Sequence, residues 1–175
     1  MSKFKFISNV FSSSQITILY ITIIYTIINS NYYGIYLAAI CVSKIIITRL
    51  LKSIMHKLSI SKRPSTAINC NIFNCGGRST SGGFPSGHMM QISILSFVIY
   101  NIYKKTNNII WIALYLLLLI TTYISRLYCH THVQLLGGYF IGLLLSVILY
   151  YIDIELAKKF ETYKEHREVF YNHFK

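Results

Sequence analysis

Four groups of residues along this sequence have the types and the order needed to handle a phosphoryl anion. They are Lys57 with Arg63 and Pro64, then Ser86-Gly87-His88, then Ser125-Arg126, then His130, His132 and Gln134. Arginine is planar, permanently charged and able to hold two phosphate oxygens at once. The run Gly82-Gly83-Phe84-Pro85 leads into a predicted helix start, where unpaired N–H groups and the helix dipole favour an anion. Ser86 can cap that helix or offer its hydroxyl to a phosphate oxygen. Gly87 lets the backbone come close. A neutral imidazole can attack phosphorus and become a phosphohistidine. A second imidazole, protonated, can give its proton to the leaving oxygen. Histidine can take either role at cellular pH. Gln134 lies four residues after His130, one helical turn on, so its amide oxygen can orient that ring.

The charge distribution removes the competing chemistries. The chain has 175 residues, with 17 Lys and Arg against 5 Asp and Glu, for a net charge of +12. That length is room for one domain. The acids are Asp153, Glu155, Glu161, Glu165 and Glu168, so residues 1–152 hold no carboxylate side chain. Paired-carboxylate hydrolysis therefore has no pair. Carboxylate-bound Mg²⁺ or Ca²⁺ has no ligands in the apolar body. A Ser-His-Asp triad lacks its acid there. The sequence implies no metal and no cofactor, so arginines, a lysine and backbone N–H groups must supply the charge stabilisation. A cysteine phosphatase needs Arg six positions after its Cys, and the residues there are Gly76, Ser81 and Leu135. No nucleic-acid-binding signature is present. Cys70 and Cys75 share one polar loop, where they either pair or remain free thiols.

The elements that must position these groups are membrane helices. The chain is 54% hydrophobic, with a mean hydropathy of +0.49. Five apolar stretches run over about Val10–Ile28, Gly34–Met55, Gly87–Tyr103, Ile109–Ile124 and Gln134–Ile152. Each is near the ~20 residues that span a bilayer. No small-residue cleavage site follows Ile28, so the first stretch reads as a retained span. If the chain alternates sides, the end of the second span, the start of the third, the end of the fourth and the start of the fifth share one face. Every candidate group lies at one of those four points. The expectation is an all-α, polytopic membrane bundle of about five spans, with residues 1–155 as the membrane domain and 156–175 as a charged, exposed tail. Its partners are the lipid bilayer and a membrane lipid substrate, with no nucleic acid. Neither the host membrane, the side that the site faces nor an oligomeric state follows from the sequence.

Lys57-x5-Arg63-Pro64, Pro85-Ser86-Gly87-His88, and Ser125-Arg126 followed by a histidine resemble the type 2 phosphatidic acid phosphatase (PAP2) superfamily. The resemblance covers roughly residues 50–145 and includes the order, the helix placement and the loop length. It implies that Lys57, Arg63 and Arg126 hold phosphate oxygens, with Ser86 and the Gly87 amide adding hydrogen bonds. It implies that His88 is the general acid and the downstream histidine the nucleophile, without a metal. Lipid phosphates and polyprenyl or dolichyl diphosphates are the implied substrates.

Three departures from the family pattern are visible. The family places Lys seven positions before the Arg, where this chain has His56, and Lys57 is one residue late. Spacing from Arg126 selects His132, whereas the helix pattern His-Thr-x-x-Gln with Gly138 and Gly142 selects His130; His130 is favoured and His132 is the alternative. The acid that usually orients the nucleophile is absent in either register. That absence also fits a weakly active or inactive relative that only binds anions.

Overall fold

The computed structural model describes residues 31–65, 67, 70 and 82–174. The first apolar stretch and Cys75 lie outside these residues. Among the described residues, every regular element is a helix. They are α1 (Tyr32–Met55), a 3₁₀ turn (Ser59–Ser61), α2 (Gly87–Ile94), α3 (Ser96–Thr106), α4 (Ile110–Arg126), α5 (His132–Lys159) and α6 (Glu161–Asn172).

Local chemistry sets these bounds. Asn31 opens α1 by accepting a hydrogen bond from the Gly34 N–H at 3.1 Å. Thr131 and Gln134 form a reciprocal capping box at the start of α5. Asn107, in the left-handed region at φ 51°, ends α3. The third apolar stretch is two helices rather than one. Its break at Leu95 sits between Ser93, whose hydroxyl bonds to Met89 O at 2.8 Å, and Ser96, whose hydroxyl meets the Ser146 hydroxyl on α5 at 2.6 Å. Serine hydroxyls that engage backbone or neighbouring helices are a known cause of such breaks.

Helices α1 and α5, of 24 and 28 residues, are long and apolar enough to cross a membrane. At 1.5 Å per residue they reach about 36 and 42 Å, against a hydrocarbon core of about 30 Å. The apolar α4 has 17 residues. Each of the three carries an outward apolar stripe at helical spacing: Val42, Ile46, Leu50 and Ile54 on α1; Leu114, Leu117, Ile120 and Ile124 on α4; Phe140, Leu144, Val147 and Tyr151 on α5. In water such stripes would oppose folding; against lipid they are matched. The inward face of α5 is small instead. A Cβ at Gly138 would lie 2.4 Å from Ser86 O, and one at Gly142 would lie 2.6 Å from Met90 O. Only glycine lets α2 and its approach lie so close against α5.

The segment after Lys159, expected as a charged, exposed tail, is a helix that turns two tyrosines inward and leaves its charged face outward. Helix α6 packs against α1 and α5, burying Tyr163 and Tyr171. Asp153, the first carboxylate of the chain, is fully buried beneath it. Asp153 accepts from Arg167 Nε at 2.9 Å, from the Tyr163 hydroxyl at 2.7 Å and from Asn101 Nδ2 at 3.4 Å. The sequence pattern of mixed charge hid this contact because one partner lies inside the apolar span. Asp153→Ala leaves Arg167 and Tyr163 without their acceptor and is expected to cost about 3 kcal/mol. Thermal unfolding in detergent checks this; an unchanged midpoint would mean that α6 docks through its tyrosines alone.

Candidate active site

The ends of four segments meet at one end of the bundle. Arg63 comes from the strap after the 3₁₀ turn, His88 from the first turn of α2, Arg126 from the last turn of α4, and His130 from the short connection into α5. Arg126, His130, Ser86 and Gln134 are buried, while Arg63 and His88 are half-buried.

Two arginine–imidazole pairs form the centre. Arg126 Nη2 is 2.7 Å from His88 Nε2, and Arg63 Nη1 is 3.3 Å from His130 Nε2. A guanidinium only donates, so each Nε2 presents a lone pair to its arginine. Arg63 also reaches Cys129 O at 3.0 Å and Gly82 O at 3.4 Å, and Arg126 reaches Cys70 O at 3.3 Å. Arg126 Nε and the Ser86 hydroxyl are buried with no hydrogen-bond partner among the described residues. A buried donor without an acceptor calls for a functional explanation, and an anion supplies one.

The tautomer of His130 follows from its other nitrogen. Nδ1 lies 3.0 Å from Gly83 O and 3.3 Å from Gln134 Oε1, both acceptors facing it. Nδ1 therefore carries the proton and Nε2 the lone pair. The amide of Gln134 cannot turn round. Its Nε2 donates to Ile60 O at 2.9 Å and Lys62 O at 2.7 Å, which leaves Oε1 for the ring and for the Thr131 N–H at 3.3 Å. Gly83 allows this, since a Cβ there would sit 2.3 Å from Gln134 Oε1. Burial, and then the positive charges of Arg63, Lys52 and Arg126, hold the His130 pKa well below the ordinary histidine value. Burial lowers Arg63 to about 10, which leaves it charged at neutral pH.

Gln134→Leu removes the amide that orients the ring and is expected to lower kcat by about 10²-fold with little change in KM. Steady-state kinetics checks this; an unchanged kcat would assign the orientation to Gly83 O alone.

His132, the alternative nucleophile, is exposed on the first turn of α5 and lies 2.7 Å from the Tyr123 hydroxyl. Gln134 Oε1 faces His130. Lys57 is exposed past the end of α1, and among the described residues no hydrogen bond joins it to the cluster. The lysines near the site are Lys44 and Lys52, four residues either side of Thr48 on α1. Sequence reasoning assigned them no role. The available signal was two cations spaced on one face of an apolar span, where ionisable side chains are functional candidates by default. Among the described residues, no three His, Cys, Asp or Glu side chains converge as a metal site.

Cys70 is joined to Cys129, 59 positions apart, rather than sharing a bond with Cys75. Sequence could not give that connectivity. The link ties together the two backbone carbonyls that hold Arg126 and Arg63. Cutting it removes about 4 kcal/mol of loop-closure restraint. Reduction with dithiothreitol is expected to raise KM for a phosphorylated substrate severalfold and to lower the thermal midpoint; an unchanged KM would mean that the arginines are held without it.

A family model described as the PAP2 superfamily matches residues 32–157. No curated protein and no solved structure matches the chain.

Proposed function

We propose, since this chain belongs to the PAP2 superfamily of phosphatases and is thus a membrane-associated phosphoric ester hydrolase, that it removes phosphate from a membrane lipid through a phosphohistidine. The substrate is a phosphate monoester or diphosphate on a lipid, presented to a multi-pass bundle of about five spans. Arg63, Ser86, His88, Arg126, His130 and Gln134 all fall within the matched residues.

The observation that carries this reading is the polarity of His130, with acceptors on Nδ1 and a donor on Nε2. Arg63 and Arg126 grip the phosphoryl oxygens, helped by the Ser86 hydroxyl and the Gly87 amide. The Nε2 lone pair of His130 attacks phosphorus as the bond to the leaving oxygen breaks. The bound dianion draws Arg126 off His88 Nε2 and offsets the surrounding positive charge, so that His88 takes up a proton as substrate binds and gives it to that oxygen. Gly83 O and Gln134 Oε1, both on Nδ1–H, stabilise the positive ring as the N–P bond forms. Water, losing a proton to His88, then attacks phosphorus and releases phosphate, restoring both imidazoles. No metal takes part, and each proton removed is returned.

A specific observation favours a second reading. Neutral acceptors occupy the place of the usual acid beside the nucleophile, which suits a protein that binds anions with little turnover. Purified protein in detergent and EDTA, given a lipid phosphate, separates the two. Phosphate release that a His130→Ala/His132→Ala double variant lacks supports hydrolysis. No release, or equal release from the double variant, overturns it.

A further inference from the structure

We infer that Lys44 and Lys52 of α1 form a second anion subsite beside the Ser86-Gly87-His88 turn, and that it takes the second phosphoryl of a diphosphate headgroup. This rests on the hydrolytic reading above and narrows its substrate class. Neither lysine belongs to the residue pattern that identified the site.

Lys44 is 9% exposed, deep within an apolar helix. A buried ammonium without a carboxylate is costly, and residues 1–152 contain none. Its side chain runs up α1 toward the active-site end. Its Nζ lies 3.8 Å from the point where a Cβ on Gly87 would stand. The Thr48 methyl is 3.2 Å from the same point, so the missing side chain at Gly87 is what opens the lysine to the turn. The buried Ser86 hydroxyl, which has no partner among the described residues, is on the adjacent residue. Lys52, two turns further along α1, is half-buried on the same stripe of the helix, its charge directed at the same end of the bundle as His88 and His130.

Charge then decides between the two headgroups. Lys44, Lys52, Arg63 and Arg126 place four cations around the two imidazoles, and residues 1–152 hold no carboxylate to offset them. A phosphate monoester brings at most two negative charges. A diphosphate ester brings up to three and is long enough to bridge two subsites. With the outer phosphoryl between the arginines, His130 Nε2 bonds to its phosphorus and the bridging P–O bond breaks. The bonding pair passes to the departing phosphate monoester, whose charge the lysines hold. Water then attacks the phosphohistidine as before.

The test is calorimetric titration of the detergent-purified full chain with inorganic pyrophosphate and orthophosphate, which needs no turnover. The wild-type chain is expected to prefer pyrophosphate roughly tenfold or more, an added contact between opposite charges being of that order. Lys44→Gln and Lys52→Gln should each erase most of that preference while orthophosphate affinity stays within about threefold, which also shows that the variants are folded. Lys44→Arg should keep it. A wild-type chain that binds both ions equally, or neither, overturns the inference, as do variants that weaken both ions alike. Pyrophosphate preference without hydrolysis of any lipid phosphate would instead sink the catalytic reading and leave the subsite standing.

Discussion

Replacing His130 with alanine is expected to lower phosphate release by about 10⁴-fold or more, because it removes the atom that bonds to phosphorus. His132→Ala is expected to stay near wild type, since that ring faces Tyr123 on the outer side of the α4–α5 corner. The two variants together decide the register that sequence spacing left open. The pH dependence follows with a definite sign. The nucleophile works deprotonated, and burial with three neighbouring cations holds its pKa well below the ordinary 6.5. The acid limb of kcat/KM, which reports the free enzyme, therefore lies below pH 6.5, and activity is lost as pH falls through it. An acid limb above pH 7 would contradict this environment for His130.

Arg126→Ala is expected to lower kcat/KM by about 10³-fold. The residue is 1% exposed and holds His88 Nε2 and Cys70 O with one planar group, and its Nε has no partner among the described residues. A point charge cannot make that fork, so Arg126→Lys should recover less than a tenth of the loss. The effect should fall on kcat as well as KM, because the planar guanidinium matches the three equatorial oxygens over which the transition state spreads its charge. A loss confined to KM would make Arg126 a docking residue only. Full recovery in Arg126→Lys would remove the geometric part of this account.

Much of the site was legible because helix ends are legible. The apolar runs and their alternation gathered Arg63, His88, Arg126 and His130 at one end without any coordinates. Gln134 was legible from the one-turn spacing after His130, and it lies 3.3 Å from that ring. Lys57 stands apart from the cluster for a physical reason. Helix α1 ends at Met55, so a residue two positions later points into solvent, whereas Lys44 and Lys52 lie on the α1 face beside the site. The break at Leu95 was hidden because Ser93 and Ser96 read as tolerated polar residues until Ser146 is seen opposite. The pairing of Cys70 with Cys129 joins positions that only the folded chain brings close. Asp153 drew attention in the sequence only as the first carboxylate of the chain, and it is the buried anchor of α6.

The central claim is that His130 Nε2 takes the phosphoryl group. Rapid acid-free quenching of the protein during turnover of a ³²P-labelled lipid phosphate, followed by peptide mass spectrometry, tests it directly. The account predicts an acid-labile phosphate on the peptide that carries His130, on Nε2, absent in His130→Ala and accumulating in His88→Ala when the leaving group needs no proton. Steady release of phosphate with no labelled histidine, or label on His132, would contradict it.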